Sequence, residues 1–146
     1  MCSYSDLKAK QQAEFNDFPM QFAFNNAQFA EGMAKLGLSP SDTDKVYTFH
    51  GGGLYLRSDA PRLRELISRH SEERAAAIAG DKTGEGYIYD AIFYELGNHE
   101  YVVTNDPADA LDALGITKYD LVHDERFQKA LTRAMREHEV WYATNG

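Results

Sequence analysis

The amino-acid sequence predicts an α+β fold, mostly helical, with a small two- to three-stranded antiparallel sheet. Three observations carry this expectation. Residues 63–78 and 127–141 repeat apolar side chains at i, i+3 and i+4, and two short β-type runs, "KVYTF" and "LYLR", flank the glycine-rich "HGGG" at 50–53. No apolar run comes near the roughly 18 residues that a membrane span requires.

Taken in order, residues 1–19 carry scattered apolar positions (Leu7, Phe15, Phe18) without a strong stripe and end at Pro19, which suggests a tail or a loosely attached helix. A single globular α+β domain is expected over 20–146. "MQFAF" at 20–24 alternates apolar and polar residues as a strand does. Asn25 and Asn26 are N-cap candidates for a helix carrying Phe29, Met33 and Leu36, which Gly37 would end. The runs at 45–57 form a hairpin whose glycines reach positive φ. Pro61 sits in the first turn of the clearest helix, which presents Leu63, Leu66, Ile67, His70, Arg74, Ala77 and Ile78 and stops near Gly80. "GDKTGEG" is then a loop, 87–100 a helix, "NDPADALDALG" a short helix between Pro107 and Gly115, and a last helix starts within "HDERF" and runs to about Tyr142. Neither repeats nor a long linker divide the chain.

The segment "GEGYIYDAIFYELGNHEY" at 84–101 concentrates four of the nine tyrosines with five ionisable side chains. On a helical wheel Ile88, Tyr89, Ile92, Phe93, Leu96 and His99 share one arc, which should face the core. Tyr87, Asp90, Tyr94, Glu95 and Asn98 share the other. That second arc reads as the outer face of an ordinary amphipathic helix, as a tyrosine and acid recognition patch, or as a catalytic site; tyrosine supplies contact area and a hydrogen-bonding phenol together.

Chemical signatures are sparse. Glu95 and His99 are four apart and can meet on one turn, and His70 and His138 on the apolar faces of their helices could complete a metal shell; "HExxH" is absent, however, and a catalytic zinc needs three protein ligands. "HGGG" is spelled like the oxyanion loop of some esterases, yet no G-x-S-x-G turn accompanies it, so it reads as a hairpin loop. "GDKTGEG" does not have the order of a phosphate-binding P-loop. Cys2 stands alone, which rules out an internal disulfide and a thiolate zinc site. No cofactor is expected. The N-terminal residues are charged and polar where a signal peptide would be apolar, and the expected address is the cytoplasm.

The net charge is −8, and it is unevenly spread. Residues 81–125 hold eleven acids and two bases, a balance of −9, whereas the remainder holds twelve acids and thirteen bases, or +1. Such a segment repels phosphate backbones and argues against direct nucleic-acid binding. It attracts basic protein surfaces instead. The expected function is therefore a small acidic interaction protein. Tyr87, Asp90, Tyr94, Glu95 and Asn98, extended by Asp106, Asp109 and Asp112, would dock on the basic surface of a partner such as a nucleic-acid-processing enzyme. The alternatives are a small hydrolase-like metal enzyme built on Glu95 and His99, and a self-associating structural module.

From "MQFAFNNAQFAEGMAKLGL" through "DAPRLRELISRH", "AGDKTGEGYIYDAIFYELGNHEY" and "DALDALGIT", the chain resembles a family of small uncharacterised bacterial proteins typical of plasmids, conjugative elements and phage-like regions. The likeness spans about residues 20–117, and residues 1–19 look like an addition to the usual start. What it implies is a setting, mobile DNA, in which small acidic proteins often counter host defence; it transfers no catalytic residue.

Overall fold

Capping chemistry and glycine placement set the helix ends in the computed structural model, which describes residues 3–145. The elements are α1 (Tyr4–Asn16), β1 (Gln21–Phe22), α2 (Asn26–Lys35), β2 (Val46–Phe49), β3 (Gly53–Leu56), α3 (Ala60–Gly80), α4 (Tyr87–Asn98), α5 (Tyr101–Thr104), α6 (Ala108–Leu114), α7 (Lys118–His123) and α8 (Glu125–Asn145). The fold is thus mostly helical with one three-stranded antiparallel sheet in the order β1-β3-β2, as the sequence predicts. Cys2 lies outside the described residues. Among those described, no helix is long and apolar enough to cross a membrane.

Two compact units form, Lys10–Glu72 and Met1–Ala9 with Glu73–Gly146, so that α1 and α3 lend residues to each. In the first, Asn25 caps α2 by accepting from Gln28 N, and Gly37 follows the helix at φ +79°. Gly32 lies so close to β1 that an added Cβ would sit 3.2 Å from Gln21 Cβ. Phe18, Met20 and Leu63 make the core, packed by Phe15, Phe49, Tyr55 and Leu66. The hairpin places Tyr47 opposite Tyr55 and turns through Gly51 and Gly52 at φ +73° and +82°. Gly52 also accepts from Ala23 N at 3.0 Å, and a Cβ there would stand 2.5 Å from the Ala23 carbonyl oxygen. Gly52→Ala should therefore cost about 2 kcal/mol, the sum of positive-φ strain and a backbone clash, measured as a lower urea midpoint at unchanged m-value.

The second unit is built on α4. Ile88, Ile92 and Leu96 pack with Tyr101, Leu111, Ile116 and Phe127, Ala130 and Ala134 of α8. Each fully buried Ile or Leu contributes roughly 1.5–3 kcal/mol of apolar transfer. A second cluster joins Tyr4 and Leu7 to Tyr87 and Ala91. Residues 1–19, expected as a tail or loosely attached helix, contain α1, which buries Tyr4, Leu7 and Gln11. Its stripe is weak because polar groups anchor it. Tyr4 and Lys8 hydrogen-bond Glu95, and the Gln11 amide donates to the His70 carbonyl at 3.0 Å.

Candidate functional site

Helix α4 is set in place by the loop before it. Asp81 is buried, and its carboxylate accepts from three backbone amides, Gly84 N (2.9 Å), Gly86 N (3.1 Å) and Ile88 N (2.9 Å). Burial pushes its carboxyl up, but these bonds outweigh it and hold the pKa below the ordinary range. Arg126 bridges the Ile78 and Asp81 carbonyls and forks onto Asp124. "GDKTGEG" forms the loop between α3 and α4, as its composition suggests.

Glu95 departs most from expectation. The wheel puts it on the solvent arc, whereas it is 2% exposed. The Tyr4 hydroxyl (2.7 Å) and Lys8 Nζ (2.8 Å) donate to Oε1, and the Asn98 amide (3.3 Å) to Oε2, which also lies 3.2 Å from His99 Nε2. Burial raises its pKa; the bonds from Lys8, Tyr4 and Asn98 more than reverse that. The same bond to Glu95 reinforces the burial that pushes the Tyr4 phenol well up. Glu95 and His99 do meet as their spacing predicts, with a lysine ammonium already on the carboxylate. His138 is elsewhere, stacked on Phe93 and bonded through Nε2 to the Phe93 carbonyl at 2.8 Å. His70 belongs to the other unit, where Nε2 is 3.7 Å from Glu14 Oε1. Among the described residues, no grouping of three ligand-type side chains close enough for an ion includes Glu95, His99 or His138.

The tyrosines divide in the same way. Tyr87 is 4% exposed, not on the surface. Tyr89 and Tyr101 donate to Glu137 and Glu139 of α8, and each phenol is pushed up to about 12, Tyr89 chiefly by burial and Tyr101 chiefly by the bond. Only Tyr94, at 43%, faces outward among the four. It lies 4.9 Å beneath Lys8 Nζ and joins Ser5, Asp90, Phe93, Gly97, Asn98 and His138 around an open groove of about 530 Å³. Phe93, assigned by the wheel to the core, is 37% exposed in this groove.

Asp90, Tyr94 and Asn98 are thus brought together, and Tyr87 and Glu95 are withdrawn from that face. Asp109 and Asp112 are exposed on α6, and Asp106, just before it, accepts from Ala108 N; none of the three lines the groove. The acid-rich segment is also partly spent within the fold, since Asp81 and Glu95 are buried, Asp120 closes a capping box with Thr117, and Asp124 pairs with Arg126. Even so, the unit holding the groove carries fifteen acids against eight bases, −7, leaving −1 for the other.

A sequence model described as a family of unknown function, DUF7659, matches residues 3–137. The match includes α1, which is therefore part of the family's region and not an addition before it. No curated protein and no solved structure matches the chain.

Proposed function

The chain belongs to DUF7659, a family of unknown function, and we propose that it is a binding protein whose aromatic groove on α4, carrying Asp90 in an acidic unit, engages a basic protein surface. One observation carries this reading: Asp90, Tyr94 and Asn98 converge with Phe93 and His138 on one open groove in the unit with most of the negative charge. Exposed aromatic rings beside a carboxylate suit a lysine or arginine side chain, whose stem packs on the rings while its charge meets Asp90. The fitting partner is an enzyme whose basic groove normally holds nucleic acid. The protein would block that groove by charge mimicry, a role in keeping with the mobile-DNA setting implied by the resemblance described above. The metal-enzyme reading draws no comparable support, because Lys8 occupies the carboxylate it would need.

Purified basic nucleases and polymerases titrated against the immobilised protein test this. Binding should weaken as salt rises and should compete with DNA. Tyr94→Ala should weaken it about tenfold, in the range for an interface anchor, and Asp90→Lys should do so more strongly by reversing the charge. Binding that is indifferent to salt, or retained by both variants, would remove the groove from the interaction.

A further inference from the structure

The second unit also holds a cavity of about 70 Å³, lined by Ile78, Ile88, Ala91, Ala113, Leu114, Ile116 and Phe127 together with Tyr4, Tyr87 and Arg74. Its lining is apolar except for the phenols of Tyr4 and Tyr87 and the Arg74 side chain. The Tyr87 phenol is buried, and among the described residues it makes no hydrogen bond. Tyr4, which packs edge-on against it at 5.8 Å, sends its own hydroxyl to Glu95. Burial pushes the Tyr87 phenol up, and the Arg74 charge opposes that push, so a cation stands near the hydroxyl. A phenol and a guanidinium set among otherwise apolar walls suit a ligand with an apolar body and an anionic head.

We propose that this cavity binds a small amphipathic monocarboxylic acid. Its chain would fill the space among Ile88, Ile116 and Phe127, and its carboxylate would accept from Tyr87 and sit in the field of Arg74. Size supports this class. A water occupies about 10–15 Å³ on this scale, so the space holds roughly five to seven atoms of water size, the body of a short fatty or branched-chain acid. An apolar cavity prefers such a chain to water, and the phenol with its neighbouring guanidinium prefers an anion to an alcohol or amine at the head. The site is separate from the α4 groove, whose lining shares none of these residues.

Methyl NMR and calorimetry with hexanoate, hexanol, hexylamine and acetate provide the test. Hexanoate should bind saturably and shift the methyls of Ala91, Ile88 and Ile116; hexylamine and acetate should not. Tyr87→Phe keeps the ring and removes the hydroxyl, and should weaken hexanoate about tenfold, as loss of a charge-assisted hydrogen bond does. Arg74→Gln, at an exposed position, should do the same, and Ala113→Phe should fill part of the cavity and weaken hexanoate too. Two results overturn the proposal: no saturable hexanoate binding to the folded wild-type protein, or hexanol binding as tightly as hexanoate, with Tyr87→Phe and Arg74→Gln leaving both unchanged, which would make the cavity a packing void.

Discussion

Asp81→Ala is expected to destabilise the protein by about 3–5 kcal/mol, the range for removing the charged partner of several buried donors at once. Three amides lose their acceptor, one of them Ile88 N in the first turn of α4, where a helix has no internal partner for its N–H groups and its dipole favours a negative charge. Water does not replace the carboxylate, because Gly84 and Ile88 donate to it from buried positions. The chain also has no freedom to recoil. Gly84 holds φ +84°, and a Cβ there would lie 2.6 Å from the Arg126 carbonyl oxygen, so the loop is clamped against α8. Asp81→Asn should cost about half as much, since it retains one acceptor and loses the charge. The folded pKa of Asp81 is depressed, so the advantage of aspartate over asparagine should be complete above the ordinary carboxyl range, near pH 4, and should fade as acid titrates the folded carboxylate. Urea midpoints of the variants against pH measure both effects. A constant difference down to strongly acid pH would show that the charge is not what holds the loop.

How much of this was visible in the sequence depends on how local the determining physics is. The hairpin at 46–56, α3 and α8 were legible because glycines, a proline and helical spacing act within a few residues. The outer face of α4 was only half legible. A wheel sorts side chains by polarity, and by that criterion Glu95 belongs in water and Phe93 in the core. The partners that reverse the first assignment are 91 and 87 positions away, Tyr4 and Lys8, and no local pattern announces them. Helix α1 was undervalued for the same reason, since it docks through a phenol, an ammonium and Gln11 and not through an apolar stripe. Helix α5 has four residues and starts from Glu100 at φ +54°, too little period to detect. By contrast, α7 had a readable signal in Thr117 and Asp120, the ends of a capping box. The charge imbalance was visible, but not its division into carboxylates that build the fold and carboxylates that remain for a partner.

Glu95→Ala should cost about 3 kcal/mol, because it strips a buried acceptor from Tyr4, Asn98 and Lys8 in one step. The three donors are not equal. Lys8 is 45% exposed at its side chain and recovers water when the carboxylate is gone, whereas Tyr4 is buried and cannot. Most of the cost should therefore travel through Tyr4. In a double-mutant cycle, Tyr4→Phe should cost about 1–2 kcal/mol in the wild type and much less beside Glu95→Ala, while Lys8→Met should cost under about 1 kcal/mol in either. The acid limb provides an independent check. Glu95 has a lowered folded pKa despite its burial, so its charge stabilises the fold above the usual glutamate range, and that stabilisation drains away as pH falls through the folded value. Glu95→Gln should track the wild type in strong acid and fall below it near neutrality. If the two curves coincide at every pH, the ionic part of the α1 to α4 contact carries no stability, and the hydrogen bond from Tyr4 alone explains why a carboxylate sits in this core.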